Sequence, residues 1–481
     1  QNAKEGLRQF DLDTLKRVEG MTGQGRGFTL STVARMQDKE RRMSALDRLG
    51  LAQELEAYAG RDAVIEWHAG DWIVRQHDYY DIRLTVSAPH FGSRVFRHRF
   101  VRPGTKISLP PLEVVHAAEL SYHGGKNGLY VKPGRYEGVV EGDLISAYPW
   151  AMSKLPSMNE GDWVEVALET AEPGKFHGVY QVSGHYAPCR FGLLFTHDYQ
   201  RLRHGPVRDL WITSMEYEAA VRYGELRVER LRGWEWIPSG RKEYPFRRYA
   251  ETFFKLKNET PKTDDRYLLY KLLLNSLYGK TIQSVKMDGG ETEYFLDPAT
   301  GEVTGQVEEV FRAGGLYNPA LATWTTALVR VRLHELEHGF NALHASTDAV
   351  KTQANIVGTK GLGGLDVVKC EGPDRKGCGE SSGPCYFFRC KLFLHYCRAG
   401  HLMKYALHGF WGTPEELARM AVERRKGYAT RHMVKVREAI KQRLKPLEFK
   451  TLDRTLAVEW DKMDWGGKDP AFLLPRMRVA V

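Results

Sequence analysis

The 481-residue chain has no run of about 18 apolar residues, and so no sequence signal for a transmembrane helix. Its opening residues, Gln1 to Lys4, show neither a start Met nor the charged-then-apolar pattern of an export signal. The expectation is a cytoplasmic protein, without a membrane partner, whose natural N-terminus lies upstream. Internal repeats and low-complexity tracts are missing too, which excludes solenoid and fibrous architectures. Cysteine is scarce, at six residues, and without an export signal these are expected to be reduced.

The chain does contain enough apolar material to fold. Hydrophobic residues make up 42%, aromatic residues 11% and charged residues 27%, which excludes a disordered chain. At ~150 residues per domain, roughly three structural units are expected. Lys and Arg number 70 against 60 Asp and Glu, and the whole excess of +10 falls between Tyr386 and Lys450, where 15 basic residues face 5 acidic ones. So local a basic block suits a polyanion such as nucleic acid, although alone it reads equally as a solvated helical face. Five cysteines crowd at Cys370, Cys378, Cys385, Cys390 and Cys397. Only Cys385 and Cys390, with four residues between them, have zinc-thiolate spacing, so a structural zinc is not expected. Glu371 to Pro384, punctuated by Gly, Pro and Ser, reads as a loop.

Periodicity predicts helix over Thr29 to Leu55, then short strands from Ile65 to Leu109, where Val, Ile and aromatic residues gather. Trp150 to Trp236 mixes strands with Gly and Pro turns. Tyr249 to Tyr278 is helical with a break near Asn258 to Asp264, and Glu291 to Phe311 reads as a β-hairpin. Leu316 to His338 is helical, and Ala342 to Lys351 is a short strand with a polar centre.

Two segments place a carboxylate on an apolar strand: Val139-Val-Glu-Gly-Asp143-Leu-Ile, followed by Tyr148-Pro149, and Ala342-Leu-His-Ala-Ser-Thr-Asp348-Ala-Val. Alone, each Asp reads as a turn or cap residue. Side by side, they could bridge two Mg²⁺ ions about 3.5 to 4 Å apart for in-line displacement at phosphorus. Between them, Lys271-Leu-Leu-Leu-Asn275-Ser-Leu-Tyr278-Gly279 puts a cation, an amide and an aromatic ring on one helical face, although by itself it is an ordinary amphipathic helix.

In this order the three segments resemble the polymerase motifs of family B DNA polymerases. Asp143-Leu-Ile-Ser-Ala-Tyr148-Pro149 is similar to the first, Asp-x-x-Ser-Leu-Tyr-Pro. Lys271-x-x-x-Asn275-Ser-x-Tyr278-Gly279 matches the second, and Ser346-Thr-Asp348-Ala resembles the third, Asp-Thr-Asp-Ser. Two further segments resemble the protein-primed subgroup of bacteriophages and linear mobile elements. Tyr122-His-Gly124-Gly125, starting 21 residues before Asp143, is similar to its Tyr-x-Gly-Gly linker, and Thr326-Ala-Leu-Val-Arg330, ending 18 residues before Asp348, to its Thr-x-x-(Gly/Ala)-Arg motif. Intervals of 128 residues from Asp143 to Lys271 and 77 from Lys271 to Asp348 leave room for the subgroup's two insertions.

The resemblance implies an α+β right-hand polymerase of palm, fingers and thumb with an incomplete N-terminal exonuclease-like domain. Its divisions are a partial exonuclease-like domain (1–85), a first palm part (86–149), a priming-protein-binding insertion (150–240), fingers (241–283), a processivity hairpin (284–315), a second palm part (316–370), and a Cys-rich loop with basic thumb (371–481). Asp143 and Asp348 would hold two Mg²⁺ ions, for which Mn²⁺ can substitute, with the Leu144 carbonyl as a third ligand. Lys271 and Lys257, with Lys255 and Lys262 as alternatives to the latter, would bind the triphosphate of a deoxynucleotide. Tyr148 would exclude a ribose 2′-hydroxyl, and Tyr278 and Asn275 would complete the base-pair pocket. Tyr122, Gly124, Gly125, Thr326 and Arg330 would meet primer-template DNA, as would Lys391 in Arg389-Cys-Lys391-Leu-Phe393, where Phe393 replaces the family's Tyr.

Two departures qualify the match. Ser346 replaces the first Asp of the third motif, which implies retained activity with an altered metal preference. Tyr58-Ala-Gly-Arg-Asp62 resembles the third exonuclease motif and Phe10-Asp11 faintly the second, but no first motif precedes them, so proofreading is not expected. A terminal protein as primer is implied for the subgroup, but the Trp150 to Trp236 insertion matches no readable motif. The rival reading is an inactive DNA-binding scaffold or a subunit of a split polymerase.

Overall fold

The computed structural model describes residues 64–456 apart from segments at 65–66, 69, 86, 102–108, 197–201, 203, 241–242, 288–291, 297–302, 308–309, 373–376, 424–426 and 434–448. Tyr58, Asp62, Phe10 and Asp11 lie outside the described residues. The chain divides into two compact units, one of residues up to Pro103 together with Thr252–Leu277, the other of Gly104–Glu251 together with Tyr278 onward.

In chain order the helices are α1 (Ala88–Arg99), α2 (Leu112–Leu120), α3 (Ala147–Lys154), α4 (Ser214–Arg222), α5 (Pro245–Glu259), α6 (Asp265–Ser276), α7 (Pro319–Phe340) and α8 (Pro414–Val422). The strands are β1 (Asn127–Leu129), β2 (Gly134–Leu144), β3 (Gly161–Ala167), β4 (His177–Tyr186), β5 (Gly205–Thr213), β6 (Leu226–Pro238), β7 (Ser284–Met287), β8 (Thr292–Leu296), β9 (Val303–Val307), β10 (Val310–Ala313), β11 (His344–Ser346), β12 (Ala349–Thr352), β13 (Leu365–Val367), β14 (Ser382–Arg389), β15 (Leu392–Tyr396), β16 (Leu402–Leu407), β17 (Gly427–Met433) and β18 (Phe449–Thr455).

The first unit is helical where strands were expected. Residues 70–80 form a helix, and α1 buries Phe91, Val95 and Phe96 on one side. That four-residue step is a helical stripe, which the β-branched and aromatic composition had masked. Ser87 caps α1 by accepting from the His90 N–H, and the helix packs on α6. Phe253 lies buried among Tyr80, Phe100 and Tyr270. The break expected before Asp264 is real: Asp264 accepts from the Arg266 N–H and starts α6 afresh.

The second unit is built on an eight-stranded antiparallel sheet ordered β1-β11-β12-β2-β14-β15-β16, with β13 also paired to β2. β2 is its spine: β12 pairs along one edge, while β13 and β14 share the other. One face packs Leu144, Val350 and Leu365 with Val329 and Leu333 of α7, and another apolar cluster gathers Val139, Tyr136, Phe387 and Phe393. The 22-residue α7 starts at Asn318, which accepts from the Leu321 N–H ahead of Pro319, and stops at Asn341 in the left-handed region. Residues 150–240 contain their own sheet, ordered β3-β6-β4-β5, whose core includes Tyr180, Val182, Leu210 and Ile212 with Ala219 and Ala220 of α4. The hairpin expected near residues 291–311 is β8–β9, extended by the pairing of β7 with β10.

Several expected boundaries move. Strands β14 to β16, over Ser382–Leu407, belong to the same sheet as β2, so the division placed at 371 cuts through that sheet. The first compact unit holds α1 together with Thr252–Leu277, so the divisions at 85, 241 and 283 shift as well. Pro149 lies in the first turn of α3, where its missing N–H costs nothing.

Candidate active site

Asp143 is the penultimate residue of β2, and Ala349 pairs with it directly across the sheet. Asp348 is not mid-strand as expected: β11 and β12 form a tight hairpin with Thr347 and Asp348 at its tip, and Thr347 takes φ 57°. A two-residue hairpin turn needs a positive φ, which the alternation of apolar residues did not announce. The Leu144 N–H donates to the Asp348 carbonyl at 2.8 Å, locking the hairpin tip to the end of β2. The two carboxylates are thus neighbours, and neither forms an ion pair among the described residues. Burial, then the Asp348 charge, pushes Asp143 up to about 6. Burial likewise raises Asp348. A third acid, Asp366 on β13, stands opposite Asp143 in register and is exposed.

Two residues earlier on the same face, Glu141 is buried and surrounded by cations. Lys351 pairs with it, Lys404 reaches its other oxygen at 2.5 Å, and His395 lies 3.9 Å away. Burial alone would raise its pKa, but Lys351, His395 and Lys404 outweigh that and hold it well below the carboxylate range. Lys404 also acts electrostatically on Asp143 and Asp348, so one ammonium serves all three acids.

The Gly124-Gly125 linker lies against the hairpin tip. A Cβ on Gly125 would come within 2.6 Å of the Thr347 methyl, and the Thr347 N–H donates to the Lys126 carbonyl at 2.8 Å. Arg330 holds the linker from behind: its guanidinium donates to the carbonyls of His123 and Gly124 and, through two nitrogens, to one carboxylate oxygen of Glu216 of α4. Arg330 and Thr326 are fully buried, so the expectation that they touch DNA directly is corrected. Arg330 positions the linker instead. Half-buried Tyr122 and exposed Gly124 remain at the surface. Lys391, φ 56°, turns the chain between β14 and β15, and its charge is felt at Asp348. Phe393, two residues on, is buried with Lys351 over its ring at 4.3 Å, so its side chain is a core group.

Tyr148 on α3 stacks on Tyr278 with ring centroids 4.3 Å apart and planes 13° from parallel. Tyr278 opens a 3₁₀ turn, Tyr278–Thr281, rather than continuing α6. In the first unit, α6 exposes Lys271 and Asn275, and the Asn275 amide donates to the Lys271 carbonyl at 2.9 Å. Burial and the nearby Lys271 charge lower the pKa of Lys257. Lys255 instead points to Glu259 at 3.8 Å. Neither Lys257 nor Lys271 has a carboxylate partner among the described residues.

The family described as DNA polymerase type B, organellar and viral, matches residues 77–298. These residues belong to the family B DNA polymerases. No curated protein matches the chain significantly. The structure is similar to phi29 DNA polymerase complexed with primer-template DNA (TM-score 0.55, 15% identity, 78% of this chain and 68% of that one). It is similar also to the ternary complex with incoming nucleotide substrates (0.52, 16%, 78% and 68%) and to the complex with single-stranded DNA (0.53, 15%, 72% and 64%). The chain thus spans about two thirds of the phage protein's length, and at this identity the likeness shows the mixed α+β fold alone.

Sequence reasoning missed Glu141, Lys351, Lys404 and Asp366. Glu141 was legible in principle, since it shares the strand face of Asp143 at the two-residue step, but Lys404 reaches it from a strand three places away in the sheet. The zinc spacing is also corrected. Cys385 is fully buried in the apolar cluster around Val139, with Cys390 packed against it, whereas Cys370, Cys378, Cys397 and His401 converge.

Proposed function

We propose that the chain is a DNA-directed DNA polymerase that extends a primer 3′-hydroxyl. The observation carrying this reading is the juxtaposition of Asp143 and Asp348, two half-buried acids with no ion-pair partner among the described residues. Such a pair fits the divalent ions that family B polymerases generally use: Asp143, Asp348 and the Leu144 carbonyl would hold them, and Asp366 is close enough in register to assist. The ions, when bound, would supply the charge that activates the 3′-hydroxyl and offsets the leaving pyrophosphate. The chain's own residues do the rest. Lys257 and Lys271 bind the triphosphate, and the stacked Tyr148 and Tyr278 give a floor against which a ribose 2′-hydroxyl would collide. Lys391 holds the primer end by its phosphate, and the basic residues after it grip duplex without reading bases.

Protein priming is part of the proposal. It rests on the Tyr122-His-Gly124-Gly125 linker, on the separate four-stranded fold of residues 150–240, suited to a terminal protein, and on the β7–β10 hairpins, suited to processivity. Proofreading is not assigned.

Primer extension on a defined primer-template with Mg²⁺ and four deoxynucleotides tests the reading. The native chain should extend, and Asp143→Ala and Asp348→Ala should not while still binding DNA. A native chain that binds DNA in a salt-dependent way yet extends nothing would favour the scaffold reading.

A further inference from the structure

Cys370 follows β13, Cys378 precedes β14, Cys397 directly follows β15 and His401 precedes β16. Three sulfurs and one imidazole nitrogen meet within 4.8 Å of one another. The Cys378 and Cys397 sulfurs are 3.9 Å apart. Two thiolates on a tetrahedral zinc, each at about 2.3 Å, are separated by about 3.8 Å. The His401 Nδ1 is buried without a hydrogen-bond partner. Left-handed glycines bring the chain round: Gly372, Gly377 and Gly379 near the first two cysteines, and Gly400 in Cys397-Arg-Ala-Gly400-His401. Backbone N–H groups of Gly372 and His401 point at the sulfurs of Cys370 and Cys397, at 3.4 and 3.3 Å, as donors that favour thiolates.

We propose that Cys370, Cys378, Cys397 and His401 bind one structural zinc ion. Binding would take the protons of all three thiols and leave the imidazole neutral, with Nδ1 as its ligand atom. A disulfide between Cys378 and Cys397 would leave Cys370 and the orphan His401 nitrogen unexplained. The other group of donors, Glu225, His334 and His338, is a cluster of one carboxylate and two imidazoles with no thiolate. Glu225 lies 3.2 Å from His334 and accepts from Tyr186, and the two histidines, overcoming its burial, hold it well below the carboxylate range.

The clamp ties the end of β13 and the start of β16 to the chemistry. Asp366 lies four residues before Cys370, and Lys404, the partner of Glu141, three residues after His401. The zinc is thus a positioning element for the sheet, and the proposal stands whether or not the chain polymerises DNA.

The test is metal analysis of the full chain purified without chelator, followed by exchange with Co²⁺. One zinc per chain is expected, and the cobalt form should show the intense near-ultraviolet charge transfer of thiolate ligands with tetrahedral visible bands. The native spectrum alone demonstrates sulfur ligation, so the test does not depend on variants folding. Cys378→Ser should lose the metal, and Cys390→Ser and Cys189→Ser should keep it. Failure of the reduced native chain to take up stoichiometric zinc or cobalt overturns the proposal, as does a cobalt spectrum without thiolate charge transfer or full retention of metal by Cys378→Ser.

Discussion

Glu141 and Asp143 share one face of β2, yet the protein treats them oppositely. Glu141 is buried with Lys351, Lys404 and His395 around it and stays ionised far into acid. Asp143, nearer the strand end, has another acid beside it and is pushed up to about 6. The first arrangement is that of a structural ion cluster and the second that of a ligand pair awaiting external charge. Position along the strand decides between them: cations from β12, β15 and β16 reach position 141, while 143 meets the β11–β12 hairpin tip. A carboxylate's chemistry is set by what its neighbours leave unneutralised.

The comparison breaks most visibly at the ligand pair. Asp348→Ala should lower single-nucleotide incorporation by about 10³-fold or more, about 4 kcal/mol of lost transition-state stabilisation, with duplex binding in a gel shift unchanged. Glu141→Gln is the structural counterpart. It leaves Lys351 buried without its partner and should cost about 3–5 kcal/mol in denaturant unfolding at pH 7. Because the Glu141 carboxyl is depressed, its stabilisation is present above the unfolded value near 4.5 and is lost as pH falls below it, so the penalty should shrink in acid. Lys271→Ala should raise the KM for deoxynucleotide about 10- to 100-fold in steady-state extension. Lys255→Ala, whose ammonium faces Glu259, should change it little.

Much of this comparison was legible in the sequence and part was not. The order and spacing of Asp143, Lys271 and Asp348 pointed to the chemistry, and α5, α6 and α7 lie where periodicity put them, because Asp264 and Asn318 are strong caps. The helices before residue 100 were not legible, since Phe91, Val95 and Phe96 have the composition of a strand and the spacing of a helix. Arg330 looked like a DNA contact because burial is invisible in a motif; its partner Glu216 is 114 residues away in sequence. The Cys/His group escaped for a similar reason, as the spacing was counted among cysteines only, and His401 completes it after a loop and two strands.

The most direct test of the account is the unfolding free energy in chelator of the native chain against Asp143→Asn, followed from pH 7 to pH 4. A carboxyl with a raised pKa binds its proton more readily folded than unfolded, so its ionisation destabilises the fold as pH rises from about 4 through about 6. The account predicts Asp143→Asn to be more stable at pH 7, by about 1–2 kcal/mol after allowance for solvent screening, with the gap closing toward pH 4. A variant less stable than native at pH 7, as expected for Glu141→Gln, would show Asp143 to be a structural charge and contradict the account.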